Sequence, residues 1–161
     1  PTVFRYIDWL ITVPLQIVEF YLILAAITIV PVALFWRLLI YSLVMLVFGY
    51  LGEAGFMNVT LGFVIGMAGW LLILYEIFAG EASKINADSA NASCQKAFNA
   101  LRLIVTIGWA IYPIGYIFGY LLESSNINAV NIIYNYADLI NKTAFGLVIW
   151  AAAIKDSEAS A

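Results

Sequence analysis

Residues 54–75 read AGFMNVTLGFVIGMAGWLLILY, and residues 103–122 read LIVTIGWAIYPIGYIFGYLL. Each stretch is at least 20 residues long and carries no charged side chain. An α-helix rises 1.5 Å per residue, so about 20 apolar residues cross the hydrocarbon core of a bilayer. The rest of the chain has the same character. Of its 161 residues 65% are hydrophobic and 11% charged, against roughly 25% charged in soluble domains. Its mean hydropathy is +0.98. The fold class that follows is an all-α membrane protein, a transmembrane helix bundle built as one domain over residues 1–161.

Working outward from the two charge-free runs, the pattern predicts five spans at roughly 3–29, 34–53, 57–79, 96–122 and 128–154. Pro31 separates the first from the second, and "ESSNIN" at 123–128 separates the fourth from the fifth. A polar stretch at 80–95, GEASKINADSANASCQ, reads as the one long loop. Arg37, Lys84, Lys96, Arg102 and Lys155 all fall at one end of such a bundle, and the turns at the other end hold no Lys or Arg. The positive-inside rule then puts the C-terminus in the cytoplasm.

Several functions are excluded by composition. Without a histidine, neither a histidine-ligated metal site nor a His-based catalytic triad can be assembled, and no metal is expected. The single cysteine, Cys94, cannot form a disulfide within the chain. Nothing points to nucleic acid. Glu53 and Glu76 sit near predicted helix ends and read as interfacial, solvated carboxylates. Gly62/Gly66 and Gly115/Gly119 have the spacing of close helix packing. The "NVT" triplet at 58–60 and Cys94 carry no functional weight.

Arg5 and Lys142 are the two basic residues left inside the spans. Intramembrane charges are costly and face a bundle interior or a water-filled cavity. Asp138 precedes Lys142 by one helical turn. On the first span Arg5 and Asp8 share a face, Thr12 can reach the Asp8 carboxylate, and Glu19 lies 11 residues beyond Asp8, roughly 16 Å along the axis. Arg5 and Lys142 balance Asp8 and Asp138, which makes the burial of the four tolerable. Glu19 has no basic residue at its depth, and burial favours its protonated form. A neutral acid toward one side and an ionised one toward the other have the form of a donor and an acceptor for protons. A buried salt bridge beside a water-solvated glutamate, or a plain ion-coupled transporter, fits the same spacing.

Trp109, Tyr112 and Tyr116 recur at i, i+3 and i+7 on the fourth span, with Pro113 placed to kink it. Together with Trp9 they would wall a flat apolar cavity. A lysine amine beside such a cavity suits a long planar aldehyde held as a Schiff base. Aromatic stripes of this kind also arise from ordinary packing, and only the coincidence with Lys142 favours a ligand.

Three segments, RYIDWLITVPLQIVEF (5–20), GWAIYPIGY (108–116) and YNYADLINKTAFG (134–146), resemble the third, sixth and seventh helices of proteorhodopsins. These are retinal-binding, light-driven proton pumps of aquatic bacteria within the microbial rhodopsins. The resemblance extends over essentially the whole chain, and it implies a seven-helix parent whose first two helices, with a histidine that pairs with the acceptor carboxylate, are not in this sequence. It implies all-trans retinal on Lys142 as a protonated Schiff base, Asp8 as counterion and proton acceptor, Asp138 as second counterion, Glu19 as proton donor, and Arg5 on the release side. Trp9, Thr12, Gln16, Met45, Gly49, Trp109, Tyr112, Pro113 and Tyr116 would line the pocket. It further implies a bacterial plasma membrane and further copies of the chain in a homo-oligomer.

The Asp8, Thr12, Glu19 set resembles that of proton pumps and differs from chloride and sodium pumps of the wider superfamily. A sensory relative would share the pigment and signal to a membrane transducer, and would usually lack a carboxylate at position 19. Gln16 resembles the family's colour switch in its blue setting. A polar group there stabilises the ground-state charge near the Schiff base and widens the excitation gap. The retinal-bound Gln16→Leu variant is therefore expected to absorb at longer wavelength. An unshifted visible maximum would remove Gln16 from the tuning role.

Overall fold

The computed structural model describes residues 1–123 and 126–160, the last by its backbone only. Its helices are α1 (Thr2–Ala25), α2 (Val32–Glu53), α3 (Val59–Phe78), α4 (Glu81–Ser89), α5 (Ala92–Leu103), α6 (Ile111–Tyr116) and α7 (Ile127–Ser160). Two π-helical segments, Ile104–Gly108 and Ile117–Leu121, join α5 to α6 and prolong α6. Among the described residues five helical runs are long and apolar enough to span a bilayer: Thr2–Ala25, Val32–Glu53, Val59–Ser89, Ala92–Leu121 and Ile127–Ala159. The five-span expectation holds, and the fold is an all-helical membrane bundle.

The ends of the helices follow local chemistry. Pro31 precedes the first residue of α2 with extended backbone. Asn58 caps α3 by accepting from the Leu61 N–H at 3.0 Å, and Asn91 caps α5 by accepting from Cys94 N–H at 2.9 Å. Both caps satisfy amide donors that a helix start leaves unpaired. Gly55, at φ +78°, supplies the left-handed residue in the turn between α2 and α3. Of the predicted 123–128 turn, Ser124 and Ser125 lie outside the described residues.

Two expectations need correction. The polar stretch 80–95 is mostly helix, α4 and the start of α5, because Gly80 and Asn91 each begin a new helix. Its polar composition reflects position at the bundle end rather than loop structure. Glu76 is buried, not interfacial. It accepts from Arg37 Nε and Nη2, both at 3.3 Å, and from the Ala82 N–H at 3.1 Å. One carboxylate thus ties α2, α3 and α4 at the end where the basic residues collect.

The core draws on α1, α2, α3, α5 and α7, with Ile17, Phe20, Leu38, Ile73, Phe98, Leu101, Tyr134 and Phe145 almost fully enclosed. Phe20 meets Phe98 and Phe145 edge-on, at centroid separations of 5.2 and 6.2 Å. Large apolar residues point outward all along the spans, Leu139, Ile140 and Trp150 on α7 among them. Lipid solvates such a surface, so exposure carries no cost there. The helix pair α2–α3 is the most closely packed, and glycine is the reason. A Cβ on Gly62 would lie 2.8 Å from Phe48 O and 2.9 Å from Gly52 Cα, and one on Gly69 would lie 2.8 Å from Met45 N. Backbone on both sides leaves nothing that can rotate away. Gly69→Val should therefore push the two helices apart and destabilise the protein by about 1–3 kcal/mol, read as a lower thermal midpoint in detergent than that of Gly146→Val, whose added Cβ meets nothing within 4 Å.

Candidate chromophore site

Lys142 reaches inward from α7 near the middle of its span. Its Nζ donates to Asp8 Oδ2 at 2.5 Å and to Asp138 Oδ2 at 3.4 Å. The spacing of four along α7 brings Asp138 to the ammonium, and packing brings Asp8 from α1. Asp138 is further held by two aromatic donors, Trp9 Nε1 on Oδ2 at 2.8 Å and the Tyr112 hydroxyl on Oδ1 at 2.5 Å. Its orientation is therefore fixed from α1 and α6 at once. Asp8 is about half exposed, with 48% of its side chain accessible, against 17% for Asp138.

Arg5 departs from its expected place. It does not join the Lys142 group but pairs with Glu53 at the end of α2, where the two side chains are only 6% and 2% exposed. Tyr6 donates to the other oxygen of Glu53 at 2.9 Å. Arg5 also donates to Asn131 at 2.5 Å and Tyr120 at 3.1 Å, and its guanidinium lies 4.8–5.9 Å from the ring centres of Tyr134, Trp9 and Tyr6. Position near a helix end suggested that Glu53 would be solvated, but a buried guanidinium needs an anion at its own depth, and Glu53 supplies it. This changes the charge balance. Arg5 and Glu53 cancel each other, so Lys142 faces two carboxylates alone and the group is net negative when both are ionised.

Beside Lys142 lies a cavity with an empty volume of about 780 Å³, its open mouth included. Trp9, Gln16, Met45, Gly49, Trp109, Tyr112, Pro113, Tyr116, Asp138 and Lys142 all line it. Thr12 does not; its hydroxyl donates to the Asp8 backbone carbonyl at 3.0 Å instead of to the carboxylate. Asp8 lies at the ammonium but outside the lining, and Glu19 is half-buried further along α1. Reading the sequence missed Tyr6, Glu53, Phe63, Met67, Trp70 and Asn141, which also line it. Asn141 could have been noticed, since it adjoins Lys142. Trp70 and Phe63 lie in the charge-free run of α3, where nothing marks the inward face.

The cavity is narrow because its walls are rings. Trp9 stands edge-on to Tyr112 at 5.1 Å and 76°, and to Tyr6 at 5.0 Å and 69°. Such pairs are worth roughly 0.5–1.5 kcal/mol beyond burial. They leave a flat slot with an amine at its wall, which could hold a long apolar aldehyde through Nζ.

A model of the bacteriorhodopsin-like protein family matches residues 1–156. The chain belongs to this family. It is 55% identical over 159 residues to the blue-light absorbing proteorhodopsin of Gamma-proteobacterium Hot 75m4, covering 98% of this chain and 63% of the relative. The green-light absorbing proteorhodopsin of Gamma-proteobacterium EBAC31A08 is 54% identical, with the same coverage. Among solved structures, blue light-absorbing proteorhodopsin from Med12 superposes with a TM-score of 0.80 at 60% identity, over 97% of this chain and 68% of that one. Exiguobacterium sibiricum rhodopsin gives a TM-score of 0.86 at 34% identity, over 98% and 73%. The chain thus spans about 63% of the length of the curated proteorhodopsins it matches.

Within this bacteriorhodopsin-like bundle the Arg5–Glu53 pair makes its own prediction. Glu53→Ala leaves a guanidinium enclosed by rings with no anion, a loss of about 3–5 kcal/mol. The thermal midpoint of the purified protein should fall accordingly, and the double variant Arg5→Leu, Glu53→Leu should recover part of the loss. A single variant as stable as the parent would show that the pair does not hold α1 to α2.

Proposed function

We propose that the protein is a light-driven outward proton pump that carries all-trans retinal on Lys142. The observation that carries this reading is the Lys142 ammonium, 2.5 Å from Asp8 and 3.4 Å from Asp138, at the wall of an aromatic slot in a bacteriorhodopsin-like bundle. The residues present fit retinal: Nζ is an amine that condenses with an aldehyde, and the slot between Trp9, Tyr112 and Trp109 is apolar and flat. When bound, retinal supplies light absorption, isomerisation and a protonated nitrogen at the Lys142 position.

The chain's own groups then divide the work. Asp8 Oδ2 takes the proton held at Nζ, over a distance already that of a hydrogen bond. Trp9 and Tyr112 both donate to Asp138 and fix its orientation, so it serves as the second counterion beside Asp8. Arg5, paired with Glu53, lies beyond Asp8 on the release side and adds no net charge there. Glu19 returns a proton from the opposite end of α1, where among the described residues no basic side chain pairs with it. In this assignment the chain corresponds to the third to seventh helices of a proteorhodopsin, in a bacterial plasma membrane, with the basic end and the C-terminus in the cytoplasm. Each proton moved outward stores about 2.3 kcal/mol per 100 mV of membrane potential.

The test uses the full-length protein with added all-trans retinal. A visible absorption band that Lys142→Ala lacks is expected, together with light-driven acidification of the medium by cells. Asp8→Asn should keep a pigment and lose the acidification. Glu19→Gln should slow the late photocycle by roughly 10²-fold, the scale of losing a positioned proton donor. Absence of a band in the parent would overturn the photochemical reading, and a pigment without any pH change would make the protein a photosensor.

A further inference from the structure

The helix that carries Trp109 and Tyr112 is broken, and the break follows from one residue. Pro113 has no N–H, so the Trp109 carbonyl lacks the donor an α-helix would give it. The Tyr112 N–H fills that place, donating to Trp109 O at 3.1 Å, three residues back. Gly108 O, which Tyr112 would have served, is thereby left without its helical donor. The Asn141 side chain supplies one, Nδ2 donating to Gly108 O at 2.9 Å. Position 108 must be glycine for this: a Cβ there would stand 2.2 Å from Asn141 Oδ1.

A second carbonyl is released one turn earlier. In the π-helical segment the Trp109 N–H donates to Ile104 O at 3.0 Å, five residues back. Val105 O therefore misses the donor that regular α-helical bonding would provide. The Trp70 indole takes it, Nε1 donating to Val105 O at 3.0 Å. Trp70 belongs to α3 and Asn141 to α7, and both line the cavity. In lipid a carbonyl without a donor is costly, so the segment stays seated only where both side chains reach it.

We propose that Trp70 and Asn141 are positioning residues that hold residues 105–109 from α3 and α7 and so set the Trp109 ring against the bound ligand. This rests on the retinal reading above and extends it. Asn141 directly precedes Lys142, so a displacement of the Lys142 backbone pulls on the bond to Gly108 O. The neighbouring helix is thereby coupled to whatever happens at Nζ. Trp70 holds the same segment at Val105 O.

The experiment compares Trp70→Phe, which keeps a ring in the cavity but loses the N–H, with Asn141→Ala, and with both together, in full-length retinal-loaded protein. Each single variant should change the slowest photocycle time constant about fivefold, the factor corresponding to one hydrogen bond. The double variant should fall short of the product of the two, because both bonds hold one segment. A lower thermal midpoint with unchanged time constants in both single variants would overturn the proposal, since a purely structural role does that. The bonds are also read without light. In retinal-free protein labelled with 13C-carbonyl glycine, Asn141→Ala should move one carbonyl stretch to higher frequency, and an unchanged spectrum would overturn the Asn141 half. If the parent forms no pigment while the label shift is seen, the retinal reading fails and the backbone hold on Gly108 stands.

Discussion

An ammonium group inside a membrane span has to be neutralised where it lies, and the placement of three helices follows from that requirement. Lys142 meets it with a carboxylate from its own helix and one from α1. Asp138 is then held by an indole on α1 and a phenol on α6. Each of these contacts fixes the rotation of a helix about its axis, since a turn of α1 that moved Asp8 away would also remove Trp9 from Asp138. The Arg5–Glu53 pair repeats the arrangement nearer the helix ends, adding α2, and its bond from Arg5 to Asn131 returns to α7. Apolar packing brings helices together in lipid without choosing a register, and the ion pairs choose it.

Much of this was legible in the sequence, but unevenly. The spans were legible because a bilayer imposes a length and excludes charge. Lys142 stood out for the same reason, and Asp138 followed from the helical period. Asp8 could be nominated as an intramembrane carboxylate, but its meeting with Lys142 depends on how α1 lies against α7, which no spacing within one helix contains. Glu53 was misread because a carboxylate near a helix end usually finds water. Only the tertiary position of Arg5 shows that it does not. The stretch 80–95 was misread for a related reason: outside the bilayer a short helix such as α4 needs caps and one buried carboxylate, and its composition resembles that of a loop.

Pro113 shows how far a local rule reaches and where it stops. The rule that proline removes a donor correctly marks a break near the middle of the fourth span. It does not say which carbonyl finally goes without, because the Tyr112 N–H moves up and transfers the deficit to Gly108. Nor does it name the donor that repairs it. Asn141 on another helix does so, and a glycine at 108 is the counterpart that lets it approach. One proline, one glycine and one asparagine, each unremarkable alone, describe a single joint between two helices.

The two carboxylates of α1 end in different surroundings, and the proposed direction of pumping depends on that difference. Asp8 shares the Lys142 ammonium with Asp138, while Glu19, about 16 Å further along the axis, has no basic side chain paired with it among the described residues. A proton leaving Nζ finds an anion at hydrogen-bond distance on one side only. On the other side the proposed donor, Glu19, is half-buried on the same helix. With Arg5 already neutralised by Glu53, the Lys142 group carries one negative charge in excess when both carboxylates are ionised. Transfer of a proton from Nζ to Asp8 leaves that total unchanged, as a neutral amine, a neutral acid and the anion of Asp138 held by Trp9 and Tyr112. The outward step thus requires no new charge to be buried, which is the condition a pump must meet inside a bilayer.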